Sequence, residues 1–128
     1  MNRALCIAAV CGLLYANALS GSFHYDDFHS IVDNPHLRSL ANVPAFFADP
    51  DMFSGDPEKS MYRPLLLLTY AFNYAVGGYE PWGYLLVNLL LHVLVSVLVA
   101  LLAERMLVSA RAGWVAGMLF AVHPLATE

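Results

Sequence analysis

A predominantly apolar stretch without Asp, Glu, Lys or Arg, from Trp82 to Ala103, constrains the fold of this chain more than any other feature. As an α-helix it would be about 33 Å long, enough to cross the ~30 Å hydrocarbon core of a bilayer. Trp82 and Tyr84 stand at one end, where an aromatic belt is expected, and Glu104-Arg105 closes the other. The stretch predicts a membrane-spanning helix. A composition with 59% hydrophobic and only 12% charged residues supports the same class of protein.

A first apolar run covers residues 4–19 and follows Arg3. The run is slightly shorter than the ~20 residues that cross a bilayer, but it can span if the arginine side chain reaches back to the headgroups. A cleaved signal peptide is the alternative, because Ala16-Asn17-Ala18 matches the small-residue pattern of a cleavage site after residue 18. Both interpretations place the following residues on the far side of the membrane.

A last apolar run, residues 112–124, predicts a third span. It carries Gly113 and Gly117 at the four-residue spacing typical of membrane helices that pack closely. Because the chain stops directly behind this run, we expect the third span to be truncated. Residues 1–128 are accordingly interpreted as the N-terminal part of a larger membrane domain.

Arginines indicate how these spans are oriented. Arg105 and Arg111 flank the link between the second and third runs, and Arg3 precedes the first. Basic residues close to span ends favour the cytoplasmic side. Segment 20–81 is therefore predicted to be extracytoplasmic. The predicted fold class is an all-α integral membrane protein, a multi-span helical bundle whose first outer loop contains short interfacial helices.

The outer segment 20–81 holds eight of the ten carboxylates and accounts for the net charge of −4. This acidic balance argues against nucleic-acid binding, which requires a basic patch. Turn-forming pairs at Asn34-Pro35, Asp49-Pro50 and Asp56-Pro57 divide the segment into short pieces. We therefore expect an ordered loop without one long helix.

Two parts of this loop are candidates for contact with the bilayer interface. Residues 64–76 form an apolar run that begins with Pro64 and ends before Gly77-Gly78, which are typical helix boundaries. At about 18 Å the run is too short to cross, so we predict a helix along the outer interface, with a tilted span as the alternative. The aromatic segment from Pro44 to Phe53 is either an interfacial piece or a surface turn.

Chemistry in this loop would be carried by two groups of polar side chains. The adjacent carboxylates Asp26 and Asp27 can act as a general base and its supporting neighbour, although such pairs are more often solvated turns. Arg63, beside Tyr62, can hold a lipid phosphate with two hydrogen bonds. A salt bridge from Arg63 to a nearby carboxylate is the alternative.

No metal site is predicted from spacing. The loop histidines His24, His29 and His36 lack a compact ligand pattern and are expected to be exposed. Cys6 and Cys11 lie in the first apolar run, where neither a disulfide framework nor a metal-ligand spacing is visible.

Polar residues also occur within the predicted spans. Asn88, His92 and Ser96 recur every fourth residue and share one helix face, which predicts interhelical hydrogen bonds inside a bundle. His123 lies near the end of the third run, either at bilayer depth in a protein-lined pocket or within a longer helix. Pro124 points instead to a helix break near the outer surface.

Ordered motifs run through the chain from residue 20 onward. They are Phe23-His24-Tyr25-Asp26-Asp27 with Ile31-Val32-Asp33-Asn34-Pro35, Tyr62-Arg63-Pro64-Leu65 with Thr69 and Asn73-Tyr74, Gly78-Tyr79-Glu80-Pro81-Trp82-Gly83-Tyr84 with Asn88 and His92, and Phe120-Ala121-Val122-His123-Pro124 with Thr127-Glu128. Together these motifs resemble the multi-span protein O-mannosyltransferases that carry tetratricopeptide repeats, members of the C-type glycosyltransferase superfamily. One position departs from the pattern, because Leu85 stands where such relatives are expected to have histidine.

The resemblance implies a membrane glycosyltransferase that moves a sugar, typically mannose, from a polyprenyl or dolichyl phosphate to a protein Ser or Thr hydroxyl. It implies transfer on the non-cytoplasmic side, with Asp27 as general base and Asp26 as its support during inversion at the anomeric carbon. The fragment alone is expected to be inactive. Substrate-binding roles would fall on Arg63, Tyr62, His92, Asn88 and His123.

The resemblance implies no required cofactor, with a divalent cation at Asp26 and Asp27 as the alternative. Expected partners are the lipid-linked sugar, the protein acceptor and the bilayer of a bacterial inner membrane or endoplasmic reticulum. Two other function classes compete. One is a non-catalytic membrane anchor or assembly protein whose acidic loop binds a partner, and the other is a transporter segment with Asn88 and His92 lining a path.

Overall fold

The computed structural model describes residues 3–123, and over that range the protein is helical with no strand. The α-helices are α1 (Arg3–Tyr15), α2 (Val43–Phe46), α3 (Pro64–Gly77), α4 (Pro81–Leu107) and α5 (Ala110–Val122). Short 3-10 helices cover Ala16–Ser20, Pro35–Arg38, Leu40–Asn42, Pro50–Phe53 and Pro57–Lys59, and Phe28–Val32 forms one turn of π-helix.

The chain divides into two compact units. The helical unit joins the residues up to Ser20 with those from Leu85 onward, so it contains α1, most of α4, and α5. The loop unit runs from Gly21 to Tyr84 and contains α2, α3 and the start of α4.

Two helical stretches, Arg3–Ser20 and Pro81–Leu107, are long and apolar enough to cross a membrane. The first is α-helical only to Tyr15, and its last turn is a 3-10 helix in which the Ser20 hydroxyl donates to the Asn17 carbonyl at 2.7 Å. Helix α4 begins one residue before the predicted span and continues four residues beyond its end at Ala103. Within this extension, the Glu104 carboxylate pairs with Arg3 at 3.0 Å.

Helix α5 is shorter than a membrane crossing requires. Ser109 starts it, since the Ser109 hydroxyl accepts a hydrogen bond from the Ala112 amide at 3.3 Å. The helix ends at Val122, and His123 is extended, as expected of a residue that precedes proline. The predicted run to residue 124 and the motif residues Thr127 and Glu128 extend outside the described residues.

Glycines on α5 set the closest helix contact in the helical unit. A Cβ atom at Gly113 would lie 2.6 Å from the Ala100 carbonyl oxygen, and one at Gly117 would lie 2.6 Å from the Ala100 Cβ. Both distances are too short for any larger residue without movement of the backbone. The predicted small-residue contact face is therefore confirmed, and its partner is α4.

The core of the helical unit is small and includes Ile7 and Cys11 of α1 and Ala121 of α5, each exposed by 1% or less. The outer faces are apolar. Leucines along α4 remain about half exposed, which suits contact with lipid rather than water. They include Leu90, Leu94, Leu98, Leu101 and Leu102.

In the loop unit, each predicted Asx-Pro turn starts a 3-10 helix. The side chains of Asn34, Asp49 and Asp56 accept hydrogen bonds from the amide two residues ahead, at 2.9–3.1 Å. Proline in the next position fixes φ for the first turn and lacks an amide hydrogen that would go unpaired there. The predicted division of this segment into short pieces is confirmed.

Asn34 also joins distant parts of the loop unit. Its fully buried side-chain amide lies 3.0–3.2 Å from the carbonyl oxygens of Ser30, Met52 and Phe53, and its oxygen accepts from the His36 amide. These contacts satisfy carbonyl groups that would otherwise be buried without partners. A single side chain thus holds the segment around residue 53 against the turn at residue 34.

The interfacial interpretation of the aromatic segment is wrong for two of its three phenylalanines. Phe46 and Phe53 are 1% and 4% exposed and pack in the core of the loop unit with Leu67 and Ala71 of α3. Burying these rings against α3 removes more apolar surface from water than a headgroup contact would. Only Phe47 stays half exposed.

Candidate functional site

The segment around the acidic pair has unusual backbone geometry. Tyr25 has φ +40°, a region that residues other than glycine rarely occupy, and its side chain is 93% exposed. The π-helical turn Phe28–Val32 follows directly, closed by a hydrogen bond from the Asp33 amide to the Phe28 carbonyl at 2.7 Å. Strained residues and π-helical turns are both enriched at functional sites. Asp26 and Asp27 lie between these two features.

Asp27 is half buried and its carboxylate is fixed by the local turn. Its Oδ2 accepts a hydrogen bond from the His24 amide at 3.0 Å, and its own amide donates to the His24 carbonyl at 2.9 Å. No hydrogen bond within the described part of the chain involves the second oxygen, Oδ1. One oxygen therefore orients the group, and the other is free to accept a proton.

Asp26 is exposed, but it lies beside a buried histidine. Its Oδ1 is 3.5 Å from His29 Nε2, and His29 Nδ1 is 3.0 Å from the hydroxyl of Ser54. If Ser54 donates to Nδ1, the proton on Nε2 points to the Asp26 carboxylate. These three side chains form a continuous polar chain, which we call the Asp26–His29–Ser54 chain.

The expectation of an exposed His29 is wrong. The residue is only 9% exposed, and its ring packs against Phe53 with the two ring centroids 6.2 Å apart. The Gly55 amide donates to the His29 carbonyl at 2.9 Å, which brings Ser54 alongside the ring. The i,i+3 spacing of Asp26 and His29 is a sequence signal that one helical turn would align them. Nothing local to Ser54 indicates its role, because the contact spans 25 residues.

Tyr70 of α3 is a further member of the site that sequence reasoning missed. Burial raises the pKa of its phenol above the ordinary value of 10.0. The negative charge of Asp27 raises the pKa further, and the positive charge of Arg63 lowers it. Tyr70 packs against the core of the loop unit, and its pKa responds to both charged groups. The apolar run that contains Tyr70 gives no hint of this in the sequence.

Arg63 and Tyr62 lie where α3 begins, and both are exposed. The Arg63 guanidinium carbon lies 5.6 Å from the centroid of the Phe53 ring, a cation–π contact. It makes no ion pair within residues 3–123, so the alternative of a salt bridge to a loop carboxylate is wrong. The Tyr62 hydroxyl donates to the Phe47 carbonyl at 3.0 Å. The charged end of Arg63 stays available to an anion.

The remaining candidate residues, Asn88, His92 and His123, belong to the helical unit. His92 is buried, lies 3.1 Å from the Ala121 carbonyl oxygen and stacks on Phe120 with the ring centroids 5.6 Å apart. The predicted interhelical hydrogen bond is therefore confirmed for His92. Asn88 is exposed and makes no hydrogen bond to a described residue, so the same expectation is wrong there. His123 is exposed and extended directly after α5, so the helix does not continue through it.

Within residues 3–123, no three His, Cys, Asp or Glu side chains come close enough together to hold a metal ion. The polar side chains described above for the loop unit are its carboxylates, the buried histidine, one phenol and one guanidinium. This set suits proton transfer next to an anionic ligand.

The chain is similar to several protein O-mannosyl-transferases. Protein O-mannosyl-transferase Tmtc1 of Drosophila melanogaster is 40% identical over 126 residues, which covers 94% of this chain and 14% of that protein. Protein O-mannosyl-transferase TMTC2 of Homo sapiens is 37% identical over 128 residues, 95% of this chain and 15% of that protein. The chain thus spans about one seventh of the length of these relatives. No family model matches the chain, and no solved structure matches it.

Proposed function

Because the chain belongs to the protein O-mannosyl-transferase family of these relatives, we propose that the full-length protein is a membrane enzyme that mannosylates protein Ser or Thr hydroxyls. The donor is a polyprenyl or dolichyl phosphate mannose. The chain covers a small part of its relatives, so this activity is assigned to the whole protein. The loop unit supplies the catalytic carboxylates at the non-cytoplasmic surface.

The observation that carries the proposal is the geometry of Asp27. One carboxylate oxygen is held by the His24 amide, while the other makes no hydrogen bond to a described residue. The strained Tyr25 and the π-helical turn hold this carboxylate on a half-buried edge rather than in a freely rotating surface turn. A general base needs such fixed placement together with access to its substrate.

In the proposed reaction, Asp27 Oδ1 accepts the proton of the acceptor hydroxyl as that oxygen attacks the anomeric carbon. The new bond is the glycosidic C–O bond, and the bond that breaks joins the anomeric carbon to the phosphate oxygen. The lipid phosphate leaves with the bonding electron pair, and the anomeric configuration inverts. No oxidant or reductant is needed.

The neighbouring residues have supporting roles in this proposal. The Asp26–His29–Ser54 chain holds the Asp26 carboxylate next to the base. It thereby places a negative charge beside Asp27 and orients the turn that carries both residues. Arg63 interacts with the departing phosphate, which carries growing negative charge in the transition state. Tyr62, Asn88, His92 and His123 remain proposed substrate contacts, and a divalent cation at Asp26 and Asp27 is a proposal of the same kind.

The proposed enzyme is a multi-pass membrane protein whose loop unit is extracytoplasmic, in the bacterial inner membrane or the endoplasmic reticulum. Two candidate spans support the membrane assignment, and the arginines support the orientation. Helix α3 leaves Leu65, Phe72 and Val76 exposed by more than half. This apolar surface supports our proposal that α3 lies at the outer interface.

The test is Asp27→Asn in the full-length protein, assayed in membranes for transfer of labelled mannose to an acceptor peptide. Asparagine keeps an oxygen that can accept from the His24 amide, so the turn is preserved while the basic oxygen is lost. We expect transfer to fall about 100-fold or more, the usual contribution of general base catalysis. Asp33→Asn is the matched control, because it removes an exposed carboxylate of the same loop outside the site.

Unchanged transfer by the Asp27→Asn protein would show that Asp27 is not the base. If transfer is undetectable in the wild-type protein as well, while the loop captures a secreted partner, the non-catalytic anchor is the better function. Equal losses in both variants would indicate a general effect of loop charge rather than a specific base.

A further inference from the structure

A cavity of about 350 Å³ lies at one end of the helical unit, and none of its lining residues is assigned to the proposed reaction. Its walls come from the start of α1 and the start of α5. The lining residues are Arg3, Cys6, Ala110, Arg111 and Trp114. Hydrogen bonds fix this end of the unit, because the Arg3 guanidinium donates to the Glu104 carboxylate at 3.0 Å and to the Ala110 carbonyl at 3.2 Å.

The cavity carries an excess of positive charge. Glu104 balances Arg3, but Arg111 is exposed and forms no ion pair or hydrogen bond within the described chain. Arg111 also lies in the first turn of α5, where the helix dipole adds positive potential. Two guanidinium groups therefore line the cavity. Among the described residues, only the guanidinium of Arg3 has a counter-ion.

The other walls are apolar. The Trp114 ring, the Cys6 side chain and the Ala110 methyl group form the remaining lining. A ligand that fits must combine an anionic group for the arginines with an apolar part for the indole and thiol. The cavity volume falls within the range of ordinary small-ligand sites, ~300–1,000 Å³. The cavity also lies at the start of α1, a helix that can span a bilayer, and the end of such a helix is expected near lipid headgroups.

We propose that this cavity binds the phosphate headgroup of an anionic membrane lipid, with Arg111 and Arg3 contacting the phosphate and Trp114 contacting the glycerol and upper acyl chain. Guanidinium groups match phosphate oxygens with paired hydrogen bonds, and tryptophan is favoured at the headgroup level. This ligand is distinct from the mannosyl donor, because no residue that lines the cavity is a proposed contact of the donor or the acceptor. A bound lipid would link α1 to α5 at this end of the unit.

The test uses the tryptophan in the cavity as its own reporter. The full-length protein, with Trp82 and every tryptophan outside this chain replaced by phenylalanine, is reconstituted with brominated phosphatidylglycerol or brominated phosphatidylcholine of identical acyl chains. Bromine quenches nearby indole fluorescence, so quenching reports lipid next to Trp114. We expect stronger quenching by the anionic lipid, and Arg111→Gln should lower its relative affinity about fivefold, the effect of one basic residue at a membrane surface.

Matched variants separate the site from general surface charge. Arg105→Gln removes an exposed arginine near the same end of α4 that does not line the cavity, and it should leave the lipid preference unchanged. Arg111→Lys keeps the charge and should retain most of the preference. An equal loss in the Arg105→Gln and Arg111→Gln proteins would overturn the proposal, because only bulk charge would then matter.

Two further outcomes decide the identity of the ligand. If millimolar inorganic phosphate abolishes the preference for the anionic lipid, the site binds free phosphate and the lipid assignment is wrong. If Arg111→Gln does not fold, the wild-type comparison decides alone, since equal quenching by the two lipids contradicts a headgroup site.

Discussion

The loop unit and the helical unit are both built from helices, yet different interactions hold them together. The loop unit depends on side-chain to backbone hydrogen bonds, with Asn34 joining three carbonyl groups and Asx-Pro turns setting each short helix. The helical unit depends on close backbone approach, with Gly113 and Gly117 against α4. Polar contacts in the helical unit are fewer and include His92 and the pair of Arg3 with Glu104.

This difference indicates what each unit tolerates. A water-exposed loop can use polar side chains as internal braces, because their partners are backbone groups that must be satisfied anyway. A membrane helix has its backbone already paired, so association depends on shape and on small residues. Substitutions that remove polar atoms should therefore lower the stability of the loop unit most. Substitutions that add methyl groups should lower the stability of the helical unit most.

The largest effect is expected from Asn34→Ala in the loop unit. The change leaves carbonyl groups of Ser30, Met52 and Phe53 without this partner, and each buried unsatisfied group costs about 1–3 kcal/mol. We expect a loss of about 4 kcal/mol in local stability, measured by hydrogen exchange of loop amides. Asn42→Ala is the control, because Asn42 donates a single side-chain hydrogen bond, to His36. Similar losses in both variants would contradict the role of Asn34 as the main brace.

A smaller effect is expected from Gly117→Ala in the helical unit. The added methyl group would overlap the Ala100 side chain, and overpacking of this kind typically costs 1–3 kcal/mol. Thermal unfolding in detergent, followed by circular dichroism, measures the change. Gly12→Ala is the matched control, because no atom lies within 4 Å of a Cβ at that position. That variant should be neutral or slightly more stable; if it loses as much as Gly117→Ala, helix packing is not the cause.

The smallest effect is expected on the pKa of Tyr70 in the loop unit. It tests whether the charges of Asp27 and Arg63 both act on this phenol. Asp27→Asn should lower the pKa of Tyr70, because it removes a charge that disfavours the phenolate, and Arg63→Gln should raise it. NMR of protein labelled at the tyrosine ring carbons measures both shifts. No shift in either variant would mean that the two charged groups do not share a site with Tyr70.

The same raised pKa gives a pH dependence of stability. Above the ordinary value of 10.0, the unfolded chain releases the phenolic proton while the folded protein keeps it. The unfolded state then binds fewer protons, so the contribution of Tyr70 is complete below pH 10 and falls as the pH rises through the folded-state value. Loop stability of Tyr70→Phe should decline less over this pH range than that of the unmodified protein.

Much of the fold follows from local sequence signals. Long apolar runs predict the helices, and the Asx-Pro pairs predict the short 3-10 turns, because both signals act within a few residues. The pair of Glu104 with Arg3, 101 residues away in the chain, could not be predicted in this way. Long-range partners of this kind leave no local pattern.

The candidate site, too, could be predicted only where the signal is local in the sequence. Adjacent carboxylates at residues 26 and 27 are visible in the sequence, and the resemblance to known transferases adds a role for them. The burial of His29, its contact with Ser54 and the packing of Tyr70 against the loop core depend on how the loop unit folds. A histidine in a polar loop looks exposed until the tertiary contacts are known.

The core positions of α1 have a consequence for biosynthesis. Ile7 and Cys11 are buried and form one core with Ala121 of α5, so α1 is synthesised before a partner that lies more than a hundred residues later in the chain. A cut after Ala18 by signal peptidase would remove α1 and leave this face of α5 uncovered. Retention of the N-terminal helix through synthesis is therefore a condition for completing the helical unit.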